Sequence, residues 1–365
     1  MGFGAFAFII SCAGEQETDA HSGATKKEVA FDKSKLKYSY EHRLEEIQQL
    51  TNGGDNAEAY FSPDDSKLVF QRTNPKEKVD CDQIYVADVP GFGDVFEFSL
   101  VSTGRGRTTC SYFMPEGETI VYASTHERHD KCPPVPDRKK IGKYVWPLYP
   151  EFEIYTADLG GNIIAKLTDN NSYDAEATVS PNGDKIVFTS TRNGDIDLYT
   201  MNLDGSEVTQ ITFDVGYDGG AFFSADGSQL VWRASRPKPG EEEDAYKDFL
   251  KKDMVTPSDM ELFVANADGS EARQVTNLGG ANWAPFWHPS GEKIVFSSNH
   301  QSESGFPFNL FMVEVESGEV EQITFDTMFD AFPMFSHDGT KLVWSSNRNN
   351  GGTRETNLFL AHWIE

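Results

Sequence analysis

The amino-acid sequence predicts an all-β chain that forms a six-bladed β-propeller. Three observations lead to this prediction: a short motif recurs six times, each copy is followed by the same order of strand-like segments, and the two chain ends complete one repeat between them. The copies lie about 44 to 66 residues apart, within the periods typical of propellers and solenoids. Length alone allows one to three domains, and the repeats favour one.

The recurring motif is a turn followed by a short buried strand. Its copies begin at Phe61, Phe113, Val179, Phe223, Trp287 and Phe335, and most read approximately Phe-Ser-Pro-Asp-Gly. Pro presets the backbone angle φ and Gly accepts a positive φ, so the motif can join two antiparallel strands. A β-branched and aromatic run follows, such as Lys-Ile-Val-Phe at 185–188, which indicates a buried strand.

A third and a fourth strand follow each motif. The third alternates apolar and polar residues, as at 197–202, which is typical of a half-exposed strand. A tight turn comes next, for which Asp204-Gly205 and Asp268-Gly269 are the strongest signals. The fourth strand carries Ile-Thr or Val-Thr. The last repeat stops after its third strand at 357–363, and a matching fourth strand lies at 46–51. Pairing the two would close the ring without an exposed sheet edge.

The repeat unit resembles that of TolB-type β-propellers. The resemblance rests on the approximate consensus of the repeats: Gln-Ile-Thr, then roughly Phe-Ser-Pro-Asp-Gly-Lys-Ile-Val-Phe-Thr-Ser, then Leu-Tyr-Thr-Met-Asn-Leu-Asp-Gly. It covers roughly residues 44–365. It implies a propeller that binds a protein partner, as TolB binds a peptidoglycan-associated lipoprotein. The sequence leaves no room for the α/β domain that precedes the TolB propeller, or for the hydrolase domain of the related prolyl oligopeptidases.

Composition argues against nucleic acid as a partner. The formal net charge is −26, with 58 acidic against 32 basic residues, whereas phosphate binding needs a basic face. A solvated acidic exterior is the simplest explanation of this charge, and it keeps the chain soluble. We therefore expect a monomer that meets a membrane only through an anchor.

The anchor is predicted at the N-terminus. Residues 1–14 are strongly apolar but too few to span a bilayer. Ile-Ile-Ser-Cys at 9–12 resembles a bacterial lipobox, which predicts a lipoprotein signal at 1–12, lipidation of Cys12 and a polar tether at 13–43. The missing basic residues suggest a true start further upstream. The expected location is the bacterial cell envelope, at the outer membrane, in the periplasm or at the surface. The alternative is a buried N-terminus with a chance cysteine.

Three further cysteines are expected on one face around the first two blades. Cys81 and Cys132 lie in the loops between second and third strands, and Cys110 closes the crossing loop between them. In an oxidising envelope, one disulfide and one free thiol are expected, and the sequence does not decide the pair.

Two long insertions, at 126–149 and 236–254, are candidate binding elements because long loops on a rigid scaffold tend to be functional. Their alternative role is to cap the ring or pack on each other. The second includes a predicted short helix near 242–252. Aromatic residues expected to contribute to binding are Tyr144, Trp146, Tyr149 and Trp283.

The first insertion also contains candidate metal ligands. His126 and His129 precede Cys132 with i, i+3, i+6 spacing, and such residues can bind zinc. Against this, a Pro-rich loop gives that spacing no defined face, and Cys132 is a disulfide candidate. No resident cofactor is otherwise expected.

A polar residue precedes the first strand of each repeat, and we call the set the polar ring: Asn56, Thr108, Asp174, Asp218, Asn282 and Asp330. One interpretation is a polar funnel around the channel mouth that binds a cation, a sugar or a peptide end. The other is that these side chains cap local turns or pair with the arginines after the second strands, Arg192, Arg236 and Arg348.

The expected function is non-enzymatic binding of an envelope protein or peptide on the loop face and channel mouth. The alternative is a metal-assisted lyase or hydrolase that acts on carbohydrate or peptide. The sequence contains no Gly-x-Ser-x-Gly elbow, no His-Glu-x-x-His and no phosphate-binding loop, which gives nucleophilic catalysis little support.

Overall fold

A computed structural model describes residues 29–303 and 305–365. Within these residues, six four-stranded antiparallel sheets follow one another along the chain. The innermost strands of neighbouring sheets pack against each other around a ring, and the innermost strand of the last sheet packs against that of the first. The predicted all-β, six-bladed propeller is therefore confirmed. The predicted lipoprotein signal and Cys12 lie outside the described residues.

Three strands precede the first blade: β1 (Phe31–Asp32), β2 (Lys37–Tyr38) and β3 (Leu44–Gln49). The third of these pairs with the last strand of the chain, Asn357–Trp363, with Leu44 opposite Trp363 and Gln49 opposite Phe359. The predicted closure by N- and C-terminal strands is confirmed. Residues 31–43, assigned to the tether by sequence, form a β1–β2 hairpin and contact blade six.

Blade one consists of β4 (Asp55–Phe61), β5 (Lys67–Asn74), β6 (Val79–Asp88) and β7 (Phe98–Leu100). Blade two consists of β8 (Thr108–Phe113), β9 (Thr119–Ser124), β11 (Glu153–Asp158) and β12 (Ile163–Lys166), and β10 (Trp146–Pro147) lies inside the first insertion. Blade three consists of β13 (Asp174–Val179), β14 (Lys185–Ser190), β15 (Asp197–Asn202) and β16 (Thr209–Gln210). A 3-10 turn, Pro75–Glu77, links the second and third strands of blade one.

Blade four consists of β17 (Asp218–Phe223), β18 (Gln229–Ala234), β20 (Glu261–Asn266) and β21 (Arg273–Gln274), and β19 (Met254–Val255) lies inside the second insertion. Blade five consists of β22 (Asn282–Trp287), β23 (Lys293–Ser298), β24 (Asn309–Glu314) and β25 (Val320–Gln322). Blade six consists of β26 (Asp330–Phe335), β27 (Lys341–Ser346) and β28 (Asn357–Trp363), and β3 completes it.

Each insertion carries a short helix, α1 (Arg138–Ile141) in the first and α2 (Glu241–Leu250) in the second. Neither helix of residues 29–303 and 305–365 has the length and apolar character needed to cross a bilayer. The insertions meet through β10 and β19, where Trp146 pairs with Val255 and Pro147 with Met254. One insertion thus supports the other above the ring.

The core lies between the blades. The apolar runs of the second strands are fully buried, as at Leu68, Val69 and Phe70, because neighbouring blades cover both faces of these strands. A strand buried on both faces has a continuous run of apolar residues, whereas a strand with one solvated face alternates apolar and polar residues. This rigid ring holds the loops and insertions that form the candidate site.

Candidate functional site

The polar ring lies inside the blades. All six of its side chains are fully buried, and each belongs to the first or second residue of an innermost strand. The acidic members pair with arginines of the same blade: Asp174 with Arg192 at 2.9 Å, Asp218 with Arg236 at 2.7 Å and Asp330 with Arg348 at 2.8 Å. Burial raises the pKa of Asp218 to about 6, and the charge of Arg236 opposes that rise.

The uncharged members of the polar ring are bonded to groups of their own blade and of the preceding blade. Asn282 accepts a hydrogen bond from Ser298 at 2.6 Å, Thr108 and Ser124 share one at 2.8 Å, and the Asn56 amide donates to backbone carbonyls. The predicted polar funnel is therefore wrong. Of the six, only Asn56 borders the large cavity that lies on the propeller axis at the loop face, which is described below.

The residues that face the axis stand two positions later in each innermost strand, and we call them the bulge ring: Glu58, Cys110, Glu176, Gly220, Ala284 and Phe332. All six have a positive φ, and each lies where the pairing register with the second strand shifts. A β-bulge of this kind re-aims a side chain out of the sheet. All six border one axial void of about 20 Å³.

Aromatic rings fill the axis below this void. Tyr60 of blade one contacts Phe222 of the opposite blade four at a centroid distance of 5.7 Å. Tyr112 and Phe286 complete the group, at 5.4 Å from Tyr60 and 5.2 Å from Phe222. The channel is therefore closed on this side, and the bulge ring forms the floor of a cavity that opens on the loop face.

Charged groups meet at this floor, and we call Glu58, Cys110, Glu176, Tyr217 and Arg233 the floor cluster. Arg233 donates to the Glu176 carboxylate and, at 2.8 Å, to the Tyr217 hydroxyl. Tyr217 donates in turn to Glu176 at 2.9 Å. Arg233 can reach the axis because blade four has a glycine in the bulge ring: a Cβ on Gly220 would lie 2.1 Å from Arg233 Nη1.

Glu58 is the acid of the floor cluster that lacks a charged partner, and the Cys110 thiol donates a hydrogen bond to its carboxylate. Its Oε2 is buried without a hydrogen-bond partner, and it forms no ion pair among the described residues. Burial and the charge of Glu176 raise the pKa of Glu58 to about 7, although the Arg233 guanidinium opposes this rise. Burial likewise raises the pKa of the adjacent Cys110 thiol well above its usual value. Glu58 can therefore hold or release a proton near neutral pH.

Above the floor lies a cavity of about 790 Å³, roofed by both insertions. All four aromatic residues predicted for binding border it. Trp146 lies over the Arg233 guanidinium at 5.2 Å and contacts Trp283 at 5.3 Å. Trp283 stacks on Phe308 at 4.5 Å and donates to the carbonyl of Pro257 at 2.9 Å.

The other two predicted aromatics stand nearer the opening. Tyr144 is 49% exposed, and the Arg138 guanidinium covers its ring at 4.2 Å. Tyr149 donates its hydroxyl proton to the carbonyl of Pro134 at 2.9 Å. The insertions thus both cap the ring and build the walls of the cavity.

The cysteines separate into a disulfide and a free thiol. Cys81 is bonded to Cys132, which ties the first insertion to blade one, and Cys110 is free in the bulge ring. Because the Cys132 sulfur is in the disulfide, it cannot serve as a thiolate ligand. His126 is buried against Tyr155 with ring centroids 4.5 Å apart, and His129 Nε2 lies 3.8 Å from Glu151 Oε1.

The predicted metal site at His126 and His129 therefore does not form. Across residues 29–303 and 305–365, no group of three His, Cys, Asp or Glu side chains is arranged to hold a metal ion.

Comparisons with known proteins agree with this architecture. Residues 148–243 match the TolB beta propeller domain, and no curated protein sequence is significantly similar to the chain. A solved structure assigned as TolB from Agrobacterium tumefaciens is 18% identical, with a TM-score of 0.55 over 87% of this chain and 97% of that chain. TolB from Acinetobacter baumannii is 17% identical, with a TM-score of 0.53 over 86% of this chain and 64% of that chain.

An oligogalacturonate lyase in complex with manganese is 14% identical to the chain, with a TM-score of 0.51 over 93% of this chain and 96% of that chain. At these identities the similarities establish the fold, which proteins with different activities share. The chain is a six-bladed β-propeller, as its repeats predict, and residues 148–243 match the TolB beta propeller domain.

Proposed function

We propose that this chain is a non-enzymatic binding protein of the bacterial cell envelope, which holds a peptide segment of an envelope partner in the loop-face cavity. The observation that carries the proposal is the cavity itself: about 790 Å³, closed below by aromatic rings and roofed by two mutually paired insertions. Its volume lies in the range of ligand pockets, roughly 300–1,000 Å³. The end of an extended peptide chain fits such a space.

The lining also favours recognition. Trp146, Trp283 and Tyr144 offer large rigid surfaces, and such residues dominate binding energy at interfaces. The floor cluster adds a few convergent polar groups that can orient a ligand. The similarity to TolB supports an envelope partner and an envelope location, and the lipobox-like segment supports attachment to the outer membrane through Cys12. The chain acts as a monomer in this proposal.

Site-specific photo-crosslinking tests this function. Benzoylphenylalanine at Trp146 should capture an envelope protein. The same group at Phe213, which is 75% exposed in the loop between blades three and four and does not border the cavity, should not. Mass spectrometry then identifies the captured segment. A synthetic copy of that segment should bind the wild-type chain, compete with capture and bind Trp146→Ala more weakly. Capture from Phe213 alone would place the partner elsewhere and overturn the proposal.

A second candidate function is a lyase or hydrolase that acts on carbohydrate. Glu58 favours it, because a general base works best when its pKa lies near the operating pH. Arg233 beside it could neutralise an acidic sugar. His126 and His129 do not fit the metal-assisted form of this hypothesis. Incubation with polygalacturonate should release unsaturated products if this function holds, and Glu58→Gln should abolish them. A wild-type chain without turnover rejects this activity on that substrate class.

A further inference from the structure

We propose that the cavity binds ligands that carry an ammonium group on an apolar body, and that the ammonium sits against Glu58. This inference deepens the proposed binding function by naming the chemistry of the ligand. It begins from the charge balance at the floor. The floor cluster contains two carboxylates, Glu58 and Glu176, but one guanidinium, Arg233, which bonds to Glu176. When Glu58 is ionised, the cluster lacks one positive charge.

The position of Glu58 allows a ligand in the cavity to reach its carboxylate. Its Oε2 has no hydrogen-bond partner, and the neighbouring Ser111 hydroxyl is also unpartnered. Both residues border the axial void beneath the main cavity, and Glu58 borders the main cavity as well. Buried polar groups are normally satisfied, and an unsatisfied carboxylate is costly to keep. A ligand ammonium would supply both the missing charge and the missing hydrogen-bond donors.

The walls favour an organic ammonium over an inorganic cation. The cavity above the floor is lined by Tyr173 and Phe332, and by Trp146 and Tyr217, whose rings already contact the Arg233 guanidinium. Aromatic faces attract cations and retain the apolar body attached to an ammonium group. No three acidic, His or Cys side chains of the described residues, those of the floor cluster included, are arranged to hold a metal ion.

Binding should be linked to release of a proton. Without ligand, Glu58 titrates with a pKa of about 7, so it is largely protonated at pH 6 and ionised at pH 8. An ammonium favours the ionised form, so affinity should rise with pH across this interval. The titratable and charged groups that act on Glu58 from neighbouring elements are Tyr60, Asp82, Cys110, Glu176 and Arg233.

Isothermal titration calorimetry with benzylamine and benzyl alcohol tests the proposal, because the two probes match in shape and only the amine is charged. Benzylamine should bind at least roughly tenfold more tightly than the alcohol at pH 8. Its affinity should fall by roughly tenfold at pH 6. Buffers of different ionisation enthalpy should show release of about half a proton at pH 7, where Glu58 is half protonated.

Glu58→Gln should remove both the preference for the amine and the pH dependence. Glu118→Gln is the control, since Glu118 is exposed and does not border the cavity. It should bind like wild type. Sodium and calcium chlorides, titrated separately, should not displace benzylamine beyond the effect of ionic strength.

Three results would overturn the inference: equal binding of both probes, binding of neither, or an amine preference that survives Glu58→Gln. These results differ from failure of the proposed function, which is measured by crosslinking from Trp146. Equal binding of both probes, weakened for both by Trp146→Ala, would keep the cavity as a binding site and reject only the ammonium preference.

Discussion

Arg348 of blade six donates to the carboxylate of Glu41 at 3.0 Å, and neither side chain has any solvent exposure. The two residues are 307 positions apart in the chain. Arg348 also bonds to Asp330 at 2.8 Å, so one guanidinium joins the N-terminal segment to the inner strand of the last blade. The segment before β3 is therefore part of the closure of the ring.

Replacing Glu41 with Ala should destabilise the fold strongly. Asp330 would still compensate the charge of Arg348, but the guanidinium would lose its hydrogen bonds to Glu41, and a hydrogen bond to a charged group contributes about 1.5–3 kcal/mol. Urea unfolding measures the change. Glu45→Ala is the control, because Glu45 is exposed and four residues away; it should change the free energy of unfolding by less than about 0.5 kcal/mol. Equal effects of both variants would show that the N-terminal segment does not support closure.

Removing the disulfide with Cys81→Ser and Cys132→Ser should lower the free energy of unfolding by about 2–4 kcal/mol. The bond closes a long loop, with a sequence separation of 51, and it holds the first insertion to blade one. Non-reducing mass mapping should find the Cys81–Cys132 peptide pair. A pairing that includes Cys110 would contradict the arrangement of the floor.

The Cys110 thiol should react slowly in the folded chain. Burial raises its pKa well above the usual value, and the thiolate is the reactive form. Iodoacetamide at neutral pH should label Cys110 much faster in urea than in buffer. Rapid labelling of the folded chain at neutral pH would mean that burial does not raise the pKa of the Cys110 thiol.

The fold could be predicted because every blade repeats the same turn chemistry and strand periodicity. The same reasoning assigned the wrong residues to the mouth of the channel. The residues of the polar ring recur as Asn or Asp in five of six blades because they bond to polar groups of their own or the preceding blade, and that need is common to all blades. A residue that recurs in every repeat is more easily explained by the fold than by a ligand.

Residues that face the axis break the repeat. The bulge ring holds acids in two blades and Cys, Gly, Ala and Phe in the others. Arg233 is the fifth residue of the second strand of blade four, and the corresponding residue of blade three is Thr189. This difference between the repeats can be seen in the sequence. Strand alternation could not predict the two-residue offset, because each bulge adds an unpaired residue. Pairing of Trp146 with Val255 joins two insertions far apart in sequence, and no local pattern indicates it.

Glu58→Gln should stabilise the ligand-free chain at pH 8. The folded pKa of about 7 lies above the unfolded value of about 4.3. A raised carboxyl pKa contributes stability that is fully present below the unfolded pKa and is lost as pH rises through the folded pKa. The variant has no such loss, so its free energy of unfolding relative to wild type should be roughly 3–4 kcal/mol higher at pH 8 than at pH 4. Urea unfolding at both pH values checks this, with the exposed Glu118→Gln as control. A pH-independent difference would mean that Glu58 titrates normally.

Gly220→Ala should damage the floor cluster more than its backbone strain alone explains. The new Cβ would lie 2.1 Å from Arg233 Nη1 and 2.8 Å from its Cζ, so the guanidinium must move away from Glu176. Gly291→Ala is the matched control, because Gly291 also has a positive φ, +76°, but nothing within 4 Å of the added atom.

The free energy of unfolding of the control should fall by about 1 kcal/mol, because Ala is strained in the left-handed conformation. Gly220→Ala should lose about 3 kcal/mol or more, because it also breaks a buried ion pair. Moving the guanidinium away should raise the pKa of Glu58 further, since Arg233 is the charge that lowers it. The fall in stability with rising pH should therefore extend to higher pH in this variant. If both glycine variants lose the same stability and keep the same pH dependence, Arg233 does not depend on the space that Gly220 leaves.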